Sequence, residues 1–102
     1  MAVTTFPSVD TNVGGATGAN FTLGSTATSV SLQCIPKTGS HSIHKVQLQA
    51  SLDGTNFIEI ANVVNGTSAI ISTDTYAYVY VRYSVVRAEG AASTCDIIIA
   101  DK

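Results

Sequence analysis

Charge is scarce in this sequence, and long apolar runs are absent. Its 102 residues include five Lys or Arg against seven Asp or Glu, which gives a formal net charge of −2. A protein that neutralises several phosphates needs a clustered basic face, so we expect no nucleic-acid partner. No apolar stretch approaches the roughly 20 residues that a transmembrane helix needs. We therefore expect a soluble protein with no membrane partner.

A secretory leader is also missing. Residues 1–7 have neither a basic n-region nor a continuous apolar segment, and a signal peptide has both. We expect synthesis in a cytosol, where thiols stay reduced. The two cysteines, Cys34 and Cys95, each lie in an alternating apolar pattern and are expected to be buried and unbridged. A disulfide between their two strands is the alternative.

Nothing in the sequence forms a catalytic or ligand-binding set. His41 and His44 lead into a strand, where residues three apart point to opposite faces, and no Cys or carboxylate close by completes a metal site. Residues 53–56, Asp-Gly-Thr-Asn, lack the rest of a calcium-loop pattern and predict a hairpin turn. No G-x-S-x-G phrase occurs. We expect no enzyme activity, no cofactor, and no catalytic, cofactor-binding or metal-binding residue.

Most of the chain is a succession of short strands separated by turn signals. Period-two alternation is clearest at residues 45–50, and the densest strand spans residues 76–85. The spacing of the turns predicts an all-β fold, an antiparallel β-sandwich of about seven to eight strands. Alternation places these residues in the core: Val30, Leu32, Cys34, Val46, Leu48, Ala50, Val79, Val81, Ile97 and Ile99.

Residues 1–18 differ from the remainder. Residues 8–18 are small, polar and rich in glycine, and they show neither strand nor helix periodicity. We interpret residues 1–18 as an extended N-terminal arm and residues 19–102 as the sandwich domain. Phe6 is the one large apolar residue of the arm, and it docks either on a neighbouring subunit or back on its own domain.

One strand carries an aromatic stripe. Tyr76, Tyr78, Tyr80 and Arg82 share a face, and residues of these types are enriched at protein interfaces. Together with Phe6 they form the predicted partner-binding surface, and the alternative is that the stripe packs against the second sheet. Asp96 is expected to face outward and to pair with Arg82 or Arg87.

Residues 46–57, Val-Gln-Leu-Gln-Ala-Ser-Leu-Asp-Gly-Thr-Asn-Phe, resemble a hairpin that recurs in small structural proteins of tailed bacteriophages. In those proteins an aromatic strand follows about twenty residues later, here residues 79–83 (Val-Tyr-Val-Arg-Tyr), and an alternating apolar strand closes the chain, here residues 95–100. The resemblance covers roughly residues 28–100. It implies a jelly-roll or immunoglobulin-like sandwich in a virion.

Within that group the chain is most similar to capsid decoration (cement) proteins. The resemblance implies a non-enzymatic protein on the capsid surface of a virion, a homo-oligomer, with a trimer favoured, that binds and stabilises the lattice of the major capsid protein. Two alternatives stay open: a tail, neck or fibre module of a phage, and a small carbohydrate-binding β-sandwich.

Overall fold

The computed structural model describes residues 2–12, 14–39, 45–64, 69–74, 79–87 and 93–102, with the side chains of Val64, Arg87 and residues 69–74 outside that description. This part of the chain contains eight strands and no helix. The strands are β1 (Val3–Asp10), β2 (Phe21–Thr22), β3 (Ser29–Gly39), β4 (Lys45–Ser51), β5 (Ile58–Val64), β6 (Ala69–Asp74), β7 (Tyr80–Arg87) and β8 (Ser93–Asp101).

The strands form two four-stranded antiparallel sheets. The first sheet has the order β1-β8-β3-β6, and the second has the order β2-β7-β4-β5. The predicted antiparallel β-sandwich is therefore confirmed. Of the two topologies that the sequence left open, this strand order is that of a jelly roll, in which eight strands joined by Greek-key connections form two four-stranded sheets.

The core lies between the two sheets and is built from the alternating positions that the sequence marks. Nine of the ten predicted core residues are at most 1% exposed, and Leu48 is completely buried. Val79 is the exception, because it is 39% exposed. Val79 precedes the first residue of β7 and lies at the end of the sandwich, where its amide donates to the carbonyl of Ser51 at 3.1 Å.

The interpretation of residues 1–18 as an extended N-terminal arm apart from the sandwich does not hold for Val3–Asp10. These residues form β1, which pairs with β8 at the edge of the first sheet. The register shifts between Phe6 and Val9, and Ser8 adopts a φ of 53° within that irregularity. Pro7 also lies there, and proline is tolerated in edge strands and bulges because it has no ladder hydrogen bond to donate.

Strand β3 contains Pro36 within its pairing to β8. Its described pairing with β6 covers Ser29–Cys34, whereas its pairing with β8 continues to Gly39 with a register shift between Pro36 and Thr38. Pro36 lies at that irregularity, where proline is tolerated because it has no ladder hydrogen bond to donate.

One buried carboxylate, that of Asp101 in β8, links three separate segments of the chain. Asp101 is 4% exposed, and its two oxygens accept hydrogen bonds from the amides of Ala2 and Gly24, both at 2.7 Å. These bonds, from Gly24 first and Ala2 second, lower the pKa of the Asp101 carboxyl. The start of β1 and the loop after β2 are thereby attached to the end of β8.

Candidate functional site: the outer face of the second sheet

The structure places the predicted interface residues on different parts of the molecule. Tyr80 and Arg82 of β7 alternate with the buried Val81, so both lie on the outer face of the second sheet, away from the core. Phe6 lies across the sandwich on β1. Tyr76 and Tyr78 lie outside the described residues, as do His41 and His44.

Arg82 has a fixed and half-buried side chain. Its guanidinium carbon lies 4.0 Å from the centroid of the Phe57 ring, which is a cation–π contact. Its Nε donates a hydrogen bond to Oε1 of Gln49 at 2.9 Å, and Gln49 is the direct cross-strand neighbour of Arg82 on β4. The two contacts use one face and one N–H of the guanidinium. Four of its five N–H donors point elsewhere.

The residues beside Arg82 form a polar row across the sheet. Nε2 of Gln49 donates to Oε1 of Gln47 at 2.9 Å on the same strand. Farther along, Lys45 Nζ lies 3.7 Å from Glu59 Oε2, which also accepts from Asn62 at 3.2 Å. Hydrogen bonds between neighbours therefore hold the side chains of this face in place before any partner arrives.

Tyr80 supports the hairpin between β4 and β5. A β-carbon on Gly54 would lie 3.3 Å from the Tyr80 ring, so the turn and the ring are in close contact. Gly54 has a φ of 78°, a conformation that glycine adopts most easily. Its carbonyl accepts a hydrogen bond from Asn20 at 3.1 Å. Tyr80 is therefore half-buried against its own chain, and it does not face the second sheet's inner side.

The turn of that hairpin is organised by Asp53, as residues 53–56 predict. The Asp53 carboxylate accepts hydrogen bonds from the amides of Asn56 and Thr55, both at 2.9 Å, and from the Asn56 side chain and Ser51 Oγ, both at 2.8 Å. These bonds hold the pKa of the Asp53 carboxyl well below its usual range, with the Asn56 amide the largest cause. The carboxylate is occupied in shaping the turn.

Phe6 packs on its own domain. Its ring meets the Tyr83 ring edge to face, with centroids 5.0 Å apart. Tyr83 points inward from β7 and is 9% exposed. Burial raises the pKa of the Tyr83 hydroxyl. Gly18 lies against the same ring and donates its amide to the Tyr83 carbonyl at 3.0 Å. Period-two alternation places Tyr83 on the core face, but neither contact is visible in the sequence.

The two cysteines are free and buried, as predicted. Cys34 on β3 and Cys95 on β8 are completely buried in the first sheet, and their sulfur atoms lie 3.3 Å apart. The contact with Cys34 and burial together raise the pKa of the Cys95 thiol. A thiol held in its protonated form is a poor nucleophile.

Asp96 does not pair with Arg82. Arg82 belongs to the second sheet, whereas Asp96 faces outward from the first, so the predicted pairing with Arg82 is wrong, and the Arg87 side chain lies outside the described part of the chain. Asp96 instead lies 3.5 Å from Lys37 Nζ and accepts a hydrogen bond from the Ser8 amide at 2.9 Å. Strand order decides this pairing, and the sequence does not reveal strand order.

The β4–β5 end of the sandwich carries an apolar cleft of about 320 Å³, which no sequence pattern predicted. Leu52 and Ile58 line it and are 64% and 60% exposed. Val79, also exposed, is hydrogen-bonded to Ser51 of the cleft wall. Ile58 pairs with the buried Ala50, so alternation alone would place it in the core.

Two negative findings apply to the described part of the chain only. Its His, Cys, Asp and Glu side chains nowhere form a group of three that could hold a metal ion. It also has no helix of the length and apolarity required to cross a membrane.

Comparison with known proteins identifies a fold relative. No protein-family model matches the sequence, and no curated protein matches it either. Among solved structures, the crystal structure of the SPBc2 prophage-derived protein YomS superimposes with a TM-score of 0.57 at 14% sequence identity. The match covers 97% of this chain and 94% of that chain. The two proteins therefore share one fold over nearly their whole lengths.

Proposed function

We propose that this chain is a non-enzymatic structural protein of a phage virion, a capsid decoration protein that binds and stabilises the lattice of the major capsid protein. The observation that carries the proposal is the organised outer face of the second sheet. Arg82, Phe57 and Gln49 are held together there by a cation–π contact and a hydrogen bond.

A surface of this kind favours a protein partner. Arginine and aromatic residues supply a large share of the binding energy of interfaces. Side chains already fixed in the free protein lose little conformational entropy on binding, so more of the contact energy appears as affinity. The net charge of −2 also leaves little general electrostatic repulsion to prevent close packing on a lattice.

Two further observations support a virion as the setting. The hairpin of residues 46–57 and the strand of residues 79–83 resemble small structural proteins of tailed phages. In addition, the fold matches that of a prophage-derived protein over nearly the whole chain. In this setting the protein is a homo-oligomer, with a trimer favoured, on the capsid surface after synthesis in the host cytoplasm.

The carbohydrate-binding alternative needs an open aromatic face on which a sugar ring can stack. Phe57 is the aromatic ring nearest the polar row, but the Arg82 guanidinium covers one face of it. Tyr80 is in contact with Gly54. The two described aromatic residues of this region are therefore both engaged within the chain, which favours the decoration protein.

The test is to locate the protein in its native particle. Virions of the phage that encodes this chain are purified by density gradient, and the chain is quantified by mass spectrometry relative to the major capsid protein. Cryo-electron microscopy of the same particles then identifies its position. We expect a fixed stoichiometry and density on the capsid exterior. Absence from purified virions contradicts the proposal, and density confined to the tail or neck supports the alternative module.

A further inference from the structure

We propose that Arg82 is the anchor of the partner-binding face and that it binds a carboxylate of another protein. This inference rests on the proposed function, in which the other protein is the major capsid protein. Two observations support it: the geometry of Arg82, and the partners of every described carboxylate side chain.

The position of the guanidinium is determined before binding. Phe57 lies against one face and Gln49 accepts from Nε. Gln49 is itself held by its bond to Gln47. The terminal edge of the guanidinium, with its paired N–H groups, is left for a ligand. That edge matches the two oxygens of a carboxylate, which arginine binds with two parallel hydrogen bonds.

No carboxylate among the described side chains pairs with Arg82. Each of the five is engaged elsewhere: Asp10 with the Asn12 amide, Asp53 within its turn, Glu59 with Lys45 and Asn62, Asp96 with Lys37 and the Ser8 amide, and Asp101 with the Ala2 and Gly24 amides. Two described lysines, Lys37 and Lys45, do have carboxylate neighbours. Arg82 differs from them in having a neutral amide as its hydrogen-bond partner.

The partners of these carboxylates indicate which class of molecule binds Arg82. Each described carboxylate of this chain already has a partner within it, so the described part of a second copy offers no unengaged carboxylate for Arg82. A nucleic-acid phosphate would also fit the fork, but the net charge of −2 and the five scattered cations oppose binding to a polyanion. An Asp or Glu side chain of a different protein supplies a free carboxylate and does not carry the dense negative charge of a polyanion.

The first experiment tests the carboxylate site in the free protein. The Arg82 Nε–H resonance is followed by NMR during titration with sodium acetate, at constant ionic strength, and acetamide serves as the uncharged control. We expect acetate to shift this resonance and acetamide to leave it in place. Equal responses to the two probes, or no response to acetate, would overturn the assignment of a carboxylate to Arg82.

The second experiment uses capsids that lack the protein, purified from the same phage, as the binding probe. We expect Arg82→Gln to reduce affinity on the order of 30-fold, the size of effect seen for an anchor arginine. Arg82→Lys keeps the charge but loses the planar fork, so we expect this variant to lose affinity by an intermediate factor. Lys37→Gln, which removes one positive charge from the first sheet, is the matched control and should change affinity less than threefold, which is roughly the range for a peripheral charge.

The outcomes separate the two proposals. If the native chain binds capsids and Arg82→Gln binds equally well, the inference about Arg82 is wrong and the decoration role stands. If the native chain does not bind capsids, the decoration role is wrong, and the acetate titration still decides whether Arg82 captures carboxylates. Equal losses for Arg82→Gln and Lys37→Gln would show that net charge, and not a site at Arg82, controls binding.

Discussion

Leu48 and Leu52, four residues apart in one hairpin, have opposite surroundings. Leu48 is completely buried between the sheets, whereas Leu52 is 64% exposed beside the cleft. We expect Leu48→Ala to lower the free energy of unfolding by roughly 2–5 kcal/mol, since it removes buried methyl groups and leaves a cavity. Leu52→Ala, compared at a protein concentration low enough for both chains to be monomers, is the matched control and should change stability by less than about 0.5 kcal/mol. Urea denaturation measures both, and similar costs would mean that the register of β4 is wrong.

Gly18 is the second residue whose role can be tested alone. A β-carbon at this position would overlap the Tyr83 ring, which Phe6 contacts as well. Gly18→Ala should therefore destabilise the fold by about 1–3 kcal/mol, the usual cost of overpacking a core. In a Tyr83→Val background the ring is gone, and the added cost of Gly18→Ala should shrink. A double-mutant cycle measured by thermal unfolding gives the coupling; additive effects would contradict steric contact with the ring.

The sequence predicts the inward-facing residues well where strands are complete and fails at strand ends. Alternation identified Leu48 and eight other core positions because the two sides of a paired strand have different surroundings. The prediction failed for Val79 because the alternating pattern extends beyond β7, and Val79, which precedes the first residue of that strand, is exposed. The stacking of Phe57 on Arg82 is equally invisible, since it depends on how the β4–β5 hairpin folds over the sheet.

At the level of elements, the end of β8 controls the attachment of its neighbours through Asp101. The pKa of this carboxyl is lower in the folded chain than the usual value of about 3.9. Its contribution to stability is therefore complete above that unfolded value and is lost as the pH falls through the lower folded value. The acid side of the stability curve below about pH 4 should reflect this group.

Asp101→Asn tests this attachment. The amide keeps one acceptor oxygen but presents an NH₂ group to the second backbone amide, so we expect a loss of roughly 1–3 kcal/mol at pH 7. The difference between native and variant chains should narrow as the pH falls below about 4, because the unfolded chain then binds a proton that the folded carboxylate takes up only at lower pH. Asp10→Asn, an exposed position with one short-range bond, is the control. Thermal unfolding from pH 7 to 2 measures all three proteins, and a difference that does not depend on pH contradicts the role of the charge.

Local elements were predictable and non-local ones were not. The β4–β5 hairpin follows from alternating residues on both sides of Asp53 and Gly54, all within one short stretch of sequence. Strand β1 was missed because its neighbour in the sheet is β8, at the far end of the chain, and because Pro7 and the shift at Ser8 interrupt its pattern. Strand order could not be predicted for the same reason. Because of that order, Asp96 contacts Lys37 and not Arg82.

At the scale of the whole molecule, a decoration protein that is also a trimer needs two separate surfaces. The outer face of the second sheet is assigned to the capsid through Arg82. The described part of the chain also exposes Leu52 and Ile58 side by side at the cleft. Adjacent exposed apolar side chains are typical of contact surfaces, and a closed ring of identical subunits would cover the same patch on every copy.

We therefore expect the isolated protein to sediment as a trimer whose dissociation depends on concentration. Leu52→Lys should shift it toward the monomer, since each subunit contact would have to bury a charge. Arg82→Gln should leave the trimer intact, because its effect is limited to capsid binding. Analytical ultracentrifugation across a hundredfold dilution series measures the three proteins, with circular dichroism as the check that each variant is folded.

A native chain that is monomeric at the highest concentration would contradict the trimer. A trimer that survives Leu52→Lys and dissociates in Arg82→Gln would place the subunit contact on the outer face of the second sheet, and Arg82 could then not be reserved for the capsid.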